Sequence, residues 1–184
     1  ACHYGLGAYY PMMALKENMI ACSFANTPAL VAPFGGADPL LGTNPISVAI
    51  PAGKYPGLVM DIATSVIAKG AISLALKEGR SIPEGWALDK DGAPTTDPAA
   101  ANVGALLPFG AHKGYGMEVI CSILSFALSG ADMDINIPRF FEQPEKLTNI
   151  GQFMGCFDIS KFCKVEDFKA RVDALFDVLK ACRP

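Results

Sequence analysis

The sequence predicts an α/β protein folded as a single domain, and three observations carry that expectation. Short apolar runs bounded by turn residues alternate with segments of helical periodicity, the chain is long enough for one core, and no repeat, linker or low-complexity tract interrupts it. Its 184 residues are 51% hydrophobic and 18% charged, which suits one well-filled domain. The formal net charge of -3, with no Lys/Arg cluster, argues against nucleic acid and anionic membrane as partners, because both call for concentrated positive charge. Apolar runs are broken by Gly, Pro, Asn or Lys before they reach the roughly 18 residues of a membrane-crossing helix. The opening ACHYGLGAYY has no basic stretch ahead of an apolar core, so it does not read as a signal peptide.

The elements follow in order. From Gly7 to Asn18, Tyr10, Met13, Ala14 and Glu17 recur at helical spacing, with Pro11 tolerable in a first turn. Met19 to Asn26 is compact and apolar, as in a buried strand. The Gly/Pro-rich passage from Thr27 to Pro45 reads as a long loop, and long loops in compact domains are often functional. Ile46 to Pro51 and Gly57 to Ala63 are predicted strands around the turn AGKYP. After Asp61, a helix is expected between Thr64 or Ser65 as N-cap and Gly79 as its stop. WALDKDGAPTT reads as a hairpin around Asp91-Gly92. A helix of about 15 residues is expected from Tyr115, a strand from Gln152 to Ile159, and an amphipathic helix from Val165 to Cys182 that packs on a sheet.

Candidate chemistry centres on LPFGAHKGYG, Leu107 to Gly116. It is not a Walker loop, since Lys113 precedes Gly114 and no hydroxyl residue follows. Gly110, Gly114 and Gly116 would let backbone approach a ligand, and Lys113 at a helix start would supply a cation among N–H donors; a plain helix entrance accounts for the same residues. HYGLG lacks the third glycine of the dinucleotide fingerprint and has no strand before it. His3 sits in a glycine-rich turn, where an imidazole can be presented to a site or serve structure alone. Thr43 and Asn44 in GTNP could cap backbone groups. Asp61, at a strand end, either caps the following helix or accepts hydrogen bonds from a ligand, with capping favoured by the local pattern. The six cysteines form no C-x-x-C pair and no zinc spacing, and read as buried free thiols in a reducing compartment; no metal site is expected.

Taken together, His3-Tyr4-Gly5, Pro33-Phe34-Gly35-Gly36, Gly42-Thr43-Asn44-Pro45, Asp61-Ile62-Ala63-Thr64-Ser65, Ile82-Pro83-Glu84-Gly85-Trp86-Ala87, Pro94-Thr95-Thr96-Asp97-Pro98 and Lys113-Gly114-Tyr115-Gly116 form an ordered set. This set resembles the type-2 malate/L-lactate dehydrogenase family. The resemblance implies a mixed, largely antiparallel sheet with flanking helices and a nucleotide-binding fold unlike the Rossmann type. It implies NAD or NADP as cofactor, a small 2-hydroxy or 2-oxo acid as substrate, a cytoplasmic location and a homodimer. By the same resemblance His3 is the catalytic proton donor or acceptor. Gly5, Thr43, Asp61, Ile62, Ala63, His112, Lys113 and Gly114 are cofactor contacts, and Thr27 holds substrate. The family pattern further includes an upstream helical segment with a Ser-His-Gly motif and a C-terminal continuation. Residues 1–184 are therefore expected to be a cofactor-binding domain of such an enzyme, the alternative being a remnant that folds or dimerises without turnover.

Overall fold

The structure, a computed structural model, describes residues 3–140 and 142–183. In chain order they form α1 (Tyr9–Leu15), β1 (Met19–Ala25), β2 (Ile46–Ile50), β3 (Leu58–Ile62), α2 (Lys69–Lys77), β4 (Ala87–Leu88), β5 (Pro94–Thr95), α3 (Pro98–Val103), β6 (Ala105–Leu106), α4 (His112–Ser122), β7 (Gln152–Asp158) and α5 (Val165–Lys180). A π-helical turn, Ile123–Ala127, continues α4, and 3₁₀ turns occupy Asp134–Asn136 and Ile159–Lys161. Among the described residues no helix is long and apolar enough to cross a membrane. Two compact units divide the chain. The larger comprises Ala1–Tyr4, Phe24–Pro45 and Ile62–Phe153, and the smaller Gly5–Ser23, Ile46–Asp61 and Met154–Pro184.

In the larger unit a three-stranded antiparallel sheet runs in the order β5-β4-β6, with Ala87 opposite both Thr95 and Leu106. The β4–β5 hairpin forms where the sequence places it. Asp89 Oδ1 accepts from the N–H groups of Asp91 and Ala93 at 2.9 Å each, while Gly92 takes φ +82°, a conformation that favours glycine. Val31, Ile72, Ala75, Ile82, Ala87, Ala101 and Leu106 close into a buried cluster, with Trp86 packed against it. The long loop from Thr27 is held from within, because Leu30 and Val31 N–H both donate to Leu41 O at 2.8 Å. α3 starts at a capped Asp-Pro step, with Asp97 accepting from Ala99 N–H at 2.9 Å. Its last carbonyls receive Lys69 Nζ, at 3.2 Å for Ala101 and 2.6 Å for Asn102. On the π-helical turn the Ser125 carbonyl lies where a Cβ on Gly151 would fall, so only glycine fits there.

The smaller unit contains α1, α5 and most of a four-stranded sheet in the order β3-β2-β1-β7. Contacts along β1 and β7 run in opposite senses: Asn26 N–H donates to Gly151 O, Phe24 lies 5.7 Å from Phe153, and Ile20 shares a cavity with Phe157. That order is antiparallel pairing. α5 has no fully buried residue. It is held on one side by Phe168, which lines the cavity with Ile20, Phe157 and Ile159. On the other side Asp173 accepts the N–H groups of Gly53 and Lys54, at 3.1 and 2.8 Å, and Asp177 takes Lys54 Nζ and the Tyr55 hydroxyl at 2.6 Å each.

Three sequence expectations need correction. α2 begins at Lys69 rather than at Thr64 or Ser65. Thr64 is drawn into backbone pairing with Thr43, and Val66 N–H pairs with Leu107 O, so tertiary pairing overrides the capping pattern. α4 begins at His112, before Tyr115, because Ala111 takes φ +57° and turns the chain sharply ahead of it. The cysteines are free but not all buried: Cys121 is buried, Cys22 half-buried, and Cys156, Cys163 and Cys182 are exposed. Cys2 lies outside the described residues.

Candidate functional site

Four segments far apart in sequence lie side by side in the larger unit, joined rung by rung. Thr43 N–H donates to Thr27 Oγ1 at 2.8 Å, and Thr27 N–H donates to Asn44 Oδ1 at 3.0 Å. Thr64 N–H donates to Thr43 O at 3.0 Å, and Thr64 Oγ1 lies 3.2 Å from Thr43 O and 3.1 Å from Asn44 O. Phe109 N–H then donates to Thr64 O at 2.9 Å, which brings the turn before α4 against the same array. Two glycines make the close approaches possible. A Cβ on Gly42 would collide with Thr27 O and Asn44 Oδ1, and one on Gly114 would collide with Phe109 O.

Beneath this wall lies a fully buried polar network. Asp134 accepts four hydrogen bonds, from Gly42 N–H and Asn44 Nδ2 at 2.8 Å on one oxygen and from Asn26 Nδ2 and Ser122 Oγ at 2.9 Å on the other. Charge-assisted bonds of this kind are what a buried carboxylate needs. Glu118, one turn along α4 from Gly114, is equally buried. Its Oε1 lies 3.5 Å from Thr64 Oγ1, whereas Oε2 has no hydrogen-bond partner. Burial, followed by the neighbouring Asp134 charge, pushes the Glu118 carboxyl up to about 8, with Thr64 acting in the opposite sense. The Cys121 thiol is pushed up to about 12 by burial and by Glu118 and Asp134, which makes it unreactive.

The sequence matches the malate/L-lactate dehydrogenase family over residues 1–184. The chain belongs to this family. It is 41% identical over 179 residues to L-sulfolactate dehydrogenase of Methanothermobacter thermautotrophicus, a match covering 97% of this chain and 52% of that protein. It is 35% identical over 182 residues to ureidoglycolate dehydrogenase (NAD(+)) of Escherichia coli O157:H7, covering 99% of this chain and 52% of the relative. Among solved structures, sulfolactate dehydrogenase from Methanocaldococcus jannaschii superposes with a TM-score of 0.91 at 41% identity, covering 99% of this chain and 52% of that one. The chain thus spans about half the length of these relatives. The α/β fold with antiparallel sheets expected from the sequence is the one found here, and the solved structures it matches are family members.

The residues that the family pattern singles out do not all fall in one unit. Thr27, Thr43, Ile62, Ala63, His112, Lys113 and Gly114 belong to the larger unit, as does His3. The Thr27 and Thr43 hydroxyl oxygens lie 3.4 Å apart. His112 and Lys113 are exposed at the start of α4, which has no side-chain cap, and the His112 ring meets Phe34 edge-on with centroids 5.7 Å apart. Gly5 and Asp61 belong to the smaller unit. Gly5 takes φ +85°. The Asp61 carboxylate accepts Ala8 N–H at 2.9 Å and Ser47 Oγ at 2.6 Å. Ala8 is the residue before α1, so this dehydrogenase-family chain uses Asp61 to cap α1 rather than α2, the helix that follows it in sequence.

Sequence reasoning did not single out Glu118, Asp134, Asn26 or Ser122. One signal was present: Glu118 is the lone acid within the otherwise apolar run from Met117 to Leu128, and an acid there must be buried, paired or protonated.

Proposed function

We propose that this chain forms the cofactor-binding part of an NAD(P)-dependent oxidoreductase that interconverts a small 2-hydroxy acid and its 2-oxo acid. One observation carries the proposal: within one unit the family motif GTNP is hydrogen-bonded to Thr64 of IATS, and Thr64 in turn to Phe109, which leads directly into GAHKG. The donor set suits a dinucleotide. Lys113 and the N-terminal amides of α4 would hold an anionic group, since helix N-termini collect outward N–H groups and positive potential. Gly114 keeps the backbone close to the wall, and Thr43 presents a hydroxyl beside that of Thr27, which would contact substrate. Ile62, Ala63 and His112, in the same unit, complete the proposed cofactor contacts. A nicotinamide held there would supply or accept the hydride. A ring nitrogen of His3 would exchange the accompanying proton with the substrate oxygen. The activities of these relatives, sulfolactate and ureidoglycolate dehydrogenation, support a small hydroxy acid as substrate.

Fluorescence titration with NADH and NADPH tests this reading. We expect saturable binding by the folded chain and at least tenfold weaker binding by Lys113→Ala. No binding, or equal binding by the variant, removes the site as drawn.

A further inference from the structure

Thr64 Oγ1 sits at the junction of the wall, and its surroundings pose a problem of proton count. A hydroxyl carries one proton, yet this oxygen has three acceptor-type neighbours: Thr43 O at 3.2 Å, Asn44 O at 3.1 Å and Glu118 Oε1 at 3.5 Å. The two carbonyls can only accept. A neutral Glu118 resolves the conflict, since its own O–H can donate to Thr64 Oγ1 and leave the threonine proton for a carbonyl. An ionised Glu118 cannot, and it would place a second carboxylate beside Asp134, whose two oxygens already receive four donors. It would also leave Oε2, buried and without a partner, as an unsolvated charge.

We propose that Glu118 is a positioning residue of the cofactor site, which in its neutral form donates into the Thr64 junction and so holds the Thr43–Asn44 segment against α4. The assignment rests on the reading of this wall as a nicotinamide-nucleotide site. Glu118 touches neither cofactor nor substrate; it acts through Thr64 on Thr43 and, from within α4, on the register of Gly114. Loss of its proton loosens both sides of the wall, so cofactor affinity is coupled to one buried carboxyl. The ionisable groups facing Glu118 are Asp134, from the 3₁₀ turn, and Cys121, from α4 itself. The Gly42–Asn44 and Thr64 segments bring only neutral groups, and no cation contributes to its shift.

The test follows NADH affinity against pH in the wild-type chain and in Glu118→Gln, which keeps size and a donor but cannot ionise. The carboxyl resonances of wild-type protein labelled with ¹³C-glutamate are followed over the same range. The expected result is a dissociation constant that rises about tenfold per pH unit above 8 in the wild type, because only the protonated fraction is competent. Glu118→Gln should bind as the wild type does at low pH and lose this dependence, and one glutamate carboxyl should titrate near 8. The same pH profile in the variant, or all seven glutamates titrating in the ordinary range, overturns the assignment while leaving the cofactor site standing. Absence of NADH binding at every pH in folded wild type overturns the cofactor reading, and this assignment with it. If Glu118→Gln does not fold, the carboxyl titration and the wild-type affinity profile decide between these outcomes.

Discussion

Single residues in this chain carry energetic consequences of opposite sign. Glu118 holds a proton in the folded state that the unfolded chain releases at its ordinary carboxyl value of 4.5. Between there and about 8 the folded state therefore binds more protons, and stability falls as pH rises, by at most about 1.4 kcal/mol per pH unit. Thermal melts should show this decline in the wild type, and Glu118→Gln should flatten it. Ala111 presents the converse case. Its φ of +57° with ψ of -126° is a conformation that a side chain rarely adopts, and such strain costs about 1–3 kcal/mol. Ala111→Gly relieves it against a loss of about 0.4–1 kcal/mol from the more flexible unfolded chain. A net gain of about 1 kcal/mol in chemical denaturation is expected. Gly114→Ala should do the reverse, because the added methyl meets Phe109 O, and overpacking of this kind costs about 1–3 kcal/mol. A Gly114→Ala protein as stable as the wild type would remove the close-approach argument.

At the scale of elements, α5 shows how a helix without a fully buried residue is anchored. Asp173 receives two consecutive N–H groups from the β2–β3 turn, and the Tyr55 ring meets Phe176 at 5.4 Å. Asp173→Ala should expose the Gly53 and Lys54 amides to fast hydrogen exchange while β2 stays protected; unchanged protection would mean that Tyr55 and Phe168 hold α5 unaided. The elements also show what was legible in the sequence. β1, β2 and α5 announce themselves through apolar pattern and turn residues, and their observed ends fall within a few residues of expectation. The start of α2 does not, because Thr64 has the residue type of a cap but is recruited by Thr43, a partner 21 positions away that no local pattern reveals. Asp61 was legible as a capping carboxylate yet not as the cap of α1, for the same reason. His112, Lys113 and Gly114 could be named from their motif; the Glu118 and Asp134 pair beneath the wall depends on distant contacts, and only the isolated acid in an apolar run hinted at it.

For the whole molecule, the sheet of the smaller unit ends on β3, where Leu58, Val59 and Ile62 are 38–42% exposed. Apolar edge strands invite pairing with another strand. If β3 mediates self-association, light scattering over a concentration series should show less association for Val59→Lys than for the wild type, and equal or absent association in both removes this edge as an interface. The wall that carries the proposed function and the core around Ile72 belong to the larger unit, and so does Trp86. This is the chain's single tryptophan, half-buried against that core. Its emission is consequently an optical reporter of one unit alone, whereas far-ultraviolet circular dichroism sums both. If the chain behaves as a single domain, the two signals lose amplitude at the same denaturant concentration. A tryptophan signal that moves separately would reveal two cooperative bodies, readable without adding a label.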